Sequence, residues 1–132
     1  MTDPKHPPLT YTTNGKEIRW TYGLQQDLTR MVPQVDSLMD AVMDNAYARD
    51  YLIRRVLTDH KGFVTDPDTQ LILPDDVMLS PDEEIDLLEW IAGHLLYFFV
   101  TSPLRVKALA EKYELMLNKT TQSVRSETGS PS

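Results

Sequence analysis

Residues 80–100 read Ser80-Pro-Asp-Glu-Glu-Ile-Asp-Leu-Leu-Glu-Trp-Ile-Ala-Gly-His-Leu-Leu-Tyr-Phe-Phe-Val100, and they decide the fold class. The stretch opens as a helix start. Ser80 is a capping residue, Pro81 sits where its missing N–H is harmless, and Glu83 is placed to complete a capping box. Acids in the first turn suit the positive end of the helix dipole. Ile85, Leu88, Ile91, Leu95 and Phe99 then form an apolar stripe, widened by Leu87, Trp90 and Phe98. The stretch closes on six consecutive apolar residues, Leu95 to Val100, which leave no polar face for nearly two turns. Either the chain wraps this turn on all sides or a partner covers it. Both readings stand at this point, and Leu95, Leu96, Tyr97, Phe98 and Phe99 are the candidate partner-binding residues, because aromatic side chains dominate interface energetics.

Moving outward, Ser102-Pro103 repeats the helix-start signal, and Val106, Leu109, Tyr113 and Met116 define the inner face of an expected last helix, 103–118. Residues 120–132 carry too little apolar content to pack and are expected to be a disordered tail. On the other side, residues 63–79 are irregular, with Asp66-Pro67-Asp68 and Pro74-Asp75-Asp76 as turn signals around a short Gln70-Leu71-Ile72-Leu73 run that suits a second, small hairpin. Helical periodicity covers about residues 24–60, where Leu24, Leu28, Met31, Val35, Leu38 and Val42 recur at steps of three or four. Pro33 predicts a kink or two short helices meeting near Val32. Asp44 or Asn45 caps the next segment, which runs to His60 with Ala48, Leu52 and Val56 inward, Gly62 as its stop, and Arg49, Arg54 and Arg55 facing water.

The N-terminal element is a β-hairpin at residues 9–22, turning on Asn14-Gly15, the pair that best tolerates two positive φ angles. That turn sets Thr13 against Lys16, Tyr11 against Ile18 and Leu9 against Trp20, so the apolar side chains share one face. Residues 1–8 are expected to be a flexible arm. The fold class is therefore α+β and mostly α-helical, a β-hairpin packed on a bundle of about four helices, with one globular domain over residues 9–119.

The chain has 132 residues, a net charge of −7 and no cysteine, which excludes disulfides, thiolate metal sites and a cysteine nucleophile. The N-terminus shows no apolar h-region, and six apolar residues in a row fall short of the roughly 20 that a membrane span needs. The expectation is a soluble, unexported protein with no membrane partner. Residues 63–103 hold nine acids and no base, a patch that repels phosphate and disfavours nucleic acid. Its alternatives are a solvated face and a surface for a basic protein.

Chemistry finds little to work with. His6, His60 and His94 have no companions at metal-ligand spacing, and His94 suits a core or boundary position with one hydrogen bond, a pH-sensing role being the alternative. Asp66-Pro67-Asp68 lacks the glycine and the bidentate Glu of a calcium loop, and the pairs Asp75-Asp76 and Glu83-Glu84 suit solvent-facing helix starts. The expectation is no enzyme, no metal and no cofactor.

Taken in order, the Leu-Thr-Tyr-x-x-Asn-Gly-Lys hairpin at residues 9–16, Asp50 to Asp59 followed by Lys61-Gly62-Phe63, and the run from Leu79 to Phe99 resemble the tail assembly chaperones of long-tailed, siphovirus-type bacteriophages. The resemblance spans about residues 9–100. It implies a non-enzymatic protein of the host bacterial cytoplasm, absent from the mature virion, that coats the tape-measure protein and helps bring tail-tube subunits to it. A homo-oligomer is compatible with it. The alternative reading is a small acidic adaptor or inhibitor that binds a basic host or phage protein through residues 63–103.

Overall fold

The computed structural model describes residues 6–58 and 64–128, with side chains as far as residue 120. Asn14 and Gly15 have φ of 52° and 74°, the paired left-handed conformation of a type I′ turn. Strands β1 (Thr10–Thr13) and β2 (Lys16–Arg19) accordingly pair antiparallel, with Tyr11 opposite Ile18 and Thr13 opposite Lys16. The Trp20 N–H donates to the Leu9 carbonyl at 2.8 Å and extends the register outward. Ile18 and Trp20 are buried and Tyr11 is half-buried, whereas Leu9 at the open end stays exposed.

Helix α1 (Tyr22–Met31) starts two residues earlier than the apolar period suggests, because Thr21 caps it by accepting the Leu24 N–H at 3.1 Å. It stops at Val32, one residue before Pro33, where the residue preceding a proline is driven out of the helical region. Helix α2 (Val35–Met43) and helix α3 (Ala46–Leu57) follow, the latter capped by Asn45 Oδ1 accepting from the Ala48 N–H at 3.1 Å. Pro33 thus separates two helices, as expected; the stop at Gly62 and the position of His60 lie outside the described residues.

The arginines of α3 do not simply face water. Arg54 Nε donates to the Ile72 carbonyl at 2.7 Å, Arg55 pairs with Asp27 at 2.8 Å, and Arg49 donates to the Val42 carbonyl. Their guanidinium groups satisfy carbonyls and a carboxylate that packing would otherwise strand. Residues 64–73 form the expected small hairpin: an antiparallel bridge, Thr65 to Ile72, flanked by the Asp66 N–H donating to the Leu71 carbonyl at 2.7 Å and the Leu73 N–H donating to the Val64 carbonyl at 3.0 Å. Ile72 is fully buried, and α3 serves as its second neighbour: Thr58 Oγ1 accepts the Ile72 N–H at 3.1 Å while Arg54 donates to its carbonyl. Side chains thus stand in for a third strand on the outer edge of that hairpin.

Helix α4 runs from Pro81 to Thr128 without interruption. Its start is the expected capping box: Glu83 N–H donates to Ser80 Oγ at 3.2 Å and Ser80 N–H donates to Glu83 Oε1 at 3.1 Å. The separate helix expected from Pro103 does not exist, since Pro103 lies inside α4. Leu104, Lys107, Ala108, Leu109, Ala110, Glu111 and Lys112 are strong helix formers, and extending an existing helix avoids the cost of nucleating another. The same propagation carries helix through residues 120–128, which were expected to be disordered.

The chain, expected as one domain over residues 9–119, divides into two compact units, Met1–Phe99 and Val100–Ser132. The first holds the core, in which Leu28, Val32, Leu52, Ile72, Leu87, Ile91 and Leu95 are almost wholly removed from water. Each such side chain contributes about 1.5–3 kcal/mol relative to exposure.

Candidate interaction surfaces

The five expected partner-binding residues divide. Leu95 is 0% exposed and belongs to the core of the first unit, so it is not available to a partner in this fold. Phe99 is half-buried and packs against the same core. Tyr97 meets the His6 ring edge-on at 4.6 Å between centroids, and Phe98 lies 5.8 Å from Phe99. Only Leu96 is exposed, at 42%. Helical geometry is the reason: the inward stripe of α4 takes Leu95 and Phe99, so the run of six distributes around the helix instead of acting as one patch.

The arm that was expected to be flexible contributes to this packing. The Pro8 carbonyl accepts two hydrogen bonds, from Trp90 Nε1 at 2.8 Å and from His94 Nε2 at 2.7 Å. His94 also lies parallel to the Trp20 ring, 4.3 Å away and 7° from coplanar, with Trp90 edge-on at 5.0 Å. Burial pushes the His94 pKa down; the Pro8 bond opposes that shift and His6 adds to it. The sequence offered the aromatics and the histidine but no signal that residue 8 would be their common acceptor.

Two apolar rows remain open, and neither was read as a surface from the sequence. In the second unit Leu104, Val106, Leu109, Tyr113, Leu115, Met116 and Leu117 are each more than half exposed, and all but Leu104 and Leu115 share one face of the helix. Val106, Leu109, Tyr113 and Met116, expected as an inner face, continue the spacing of Ile91, Leu95 and Phe99 but are uncovered. Arg105, Lys112 and Lys119 recur every seven residues along one edge of this stripe. In the first unit, Val35, Met39 and Met43 form an exposed row on α2, since Leu38 and Ala41 take the inward side. Asp36, Asp40 and Asp44 run beside it at steps of four.

The acids of residues 63–103 have mixed duties. Asp66 Oδ1 accepts the Asp68 N–H at 2.9 Å, a local turn bond. Asp76 accepts the Val64 N–H. Glu83, whose pKa is lowered by its hydrogen bonds to Ser80, also accepts from Thr13 Oγ1 at 3.5 Å and so links the hairpin to α4. Asp75, Asp82, Glu84, Asp86 and Glu89 are exposed.

No cluster of three or more histidines or acids with metal-binding geometry occurs among the described residues. A cleft of about 350 Å³ is lined by Asp27, Arg30, Tyr51, Arg55, Thr58 and Gln70. Asp27 bridges both Arg30 and Arg55 there, one carboxylate shared by two guanidinium groups, so the lining keeps one positive charge in excess. By length and composition alone, Pro81–Thr120 contains a window apolar enough to cross a membrane. Leu87, Leu88, Ile91 and Leu95 of that helix are, however, taken up by the core of the first unit. Comparison with protein-family models, curated proteins and solved structures finds no match.

Proposed function

We propose that this protein is a non-enzymatic assembly chaperone that holds an apolar helical client, in the manner of the phage tail assembly chaperones it resembles. The client is then a tape-measure protein, with tail-tube subunits recruited to the complex in the host cytoplasm. The reading rests on one observation: Val106, Leu109, Tyr113, Met116 and Leu117, five large apolar side chains on one face of a helix, each stand more than half exposed. An amphipathic helix laid along such a stripe buries both apolar faces at once.

Capture of a co-expressed tape-measure protein by the full chain tests it. Replacing Leu109 and Tyr113 together by Ser is expected to weaken capture at least about tenfold, roughly 1.4 kcal/mol, with the thermal melt of the chain retained. Undiminished capture by that variant, or none by the wild type, removes the proposal.

A further inference from the structure

We propose that, when no client is bound, the stripe of residues 106–117 docks on helix α2 of a second copy. The inference rests on the reading of that stripe as a protein-binding face and adds what covers it at rest. Complementary charge carries the argument. The stripe is edged by Arg105, Lys112 and Lys119, all basic, while the Val35–Met39–Met43 row of α2 is edged by Asp36, Asp40 and Asp44, all acidic. Both rows are exposed, as are the three aspartates.

The spacings agree. At 1.5 Å per residue, Asp36 and Asp44 are about 12 Å apart along α2, and Lys112 and Lys119 about 10 Å apart along α4. Two helices therefore bring both pairs together while Met39 and Met43 meet the apolar stripe, and the unbranched thioethers adapt to an imperfect fit. Asp36 suits the first turn of α2, but helix stability does not account for Asp40 and Asp44. Asp40 and Asp44 sit at the C-terminal end of α2, which has no basic residue in its last turn, so they oppose its dipole. Antiparallel pairing of two stripes is disfavoured instead, because Lys112 of one copy then faces Lys112 of the other.

The contact is heterologous, each copy offering a different face at either side, so association does not stop at a dimer unless a ring closes. Two or three helical turns bury less than a standard interface of about 1,600 Å², so association is weak and readily displaced by a client.

Sedimentation velocity on the full chain without client, over a concentration series, is the test. The wild type is expected to self-associate, and less so as salt rises. Asp36→Lys with Asp44→Lys, and separately Lys112→Glu with Lys119→Glu, each place like charges across the contact and are expected to weaken association at least about tenfold. Mixing the two variants restores both contacts, because each supplies the charge the other has lost, and the mixture is expected to associate as the wild type does. Circular dichroism of each variant confirms that it is folded. A wild type that remains monomeric, folded variants that associate normally, or a mixture that stays dispersed overturns the inference. Client capture by the same folded variants reports on the chaperone reading separately: intact capture without self-association removes only the resting contact.

Discussion

His94 is the residue on which the N-terminal arm, the hairpin and α4 converge. The Pro8 carbonyl, the Trp20 and Trp90 rings and the His6 ring all face it. Burial favours its neutral form, so the folded pKa lies below the ordinary value near 6.5. As pH falls through that ordinary value the unfolded chain takes up the proton first, and stability declines until the lowered folded value is passed. The contribution is complete above about pH 6.5 and is lost below it. Thermal melts between pH 8 and pH 5 are expected to show this decline, and His94→Gln, which keeps a donor for Pro8 but does not titrate, to flatten it. An equally steep decline in the variant would assign the pH response to other groups. The sequence suggested a core histidine with one hydrogen bond, and that holds; its acceptor, more than eighty positions away in the chain, carried no local signature.

At the scale of elements, legibility follows how local the determining physics is. The hairpin register needs only Asn14-Gly15 and the alternation around it, and the start of α4 needs only Ser80, Pro81 and Glu83. The small hairpin at residues 64–73 was legible from its turn residues, but its outer edge depends on Thr58 and Arg54 reaching the Ile72 N–H and carbonyl, which no window around Ile72 contains. Pro103 is the instructive miss. Ser102-Pro103 has the composition of a helix start, yet the preceding helix continues through it into the strong helix formers that follow, Leu104 to Lys112. An interior proline costs about 3 kcal/mol or more, whereas a proline at the first helical position costs little. Pro103→Ala is therefore expected to slow amide exchange of residues 100–107 markedly. Unchanged exchange there would place Pro103 at a helix start after all.

At the scale of the whole molecule, the apolar surplus apparent at residues 95–100 is real, but much of it is absorbed by the first unit while the uncovered stripe lies further along, at residues 106–117. Periodicity identified that later stripe and could not say what covers it, because a core face and an interface face have the same spacing. The acidic surface separates the chaperone reading from the adaptor reading. Asp75, Asp82, Glu84 and Glu89 are exposed, whereas Asp76 and Glu83 hold backbone N–H groups and are left in place. A client held by apolar burial senses distant exposed charges weakly, since these are screened beyond about 8 Å at physiological ionic strength. Replacing Asp75, Asp82, Glu84 and Glu89 together by their amides is expected to change affinity for the client by less than about tenfold, and binding is expected to vary little between low and high salt. A basic protein steered by this surface would respond in the opposite way, with association slowing steeply as salt rises and a loss of about a hundredfold in the folded amide variant. Titration calorimetry and stopped-flow association at two salt concentrations distinguish the two outcomes, and the second would replace the chaperone reading with the acidic adaptor.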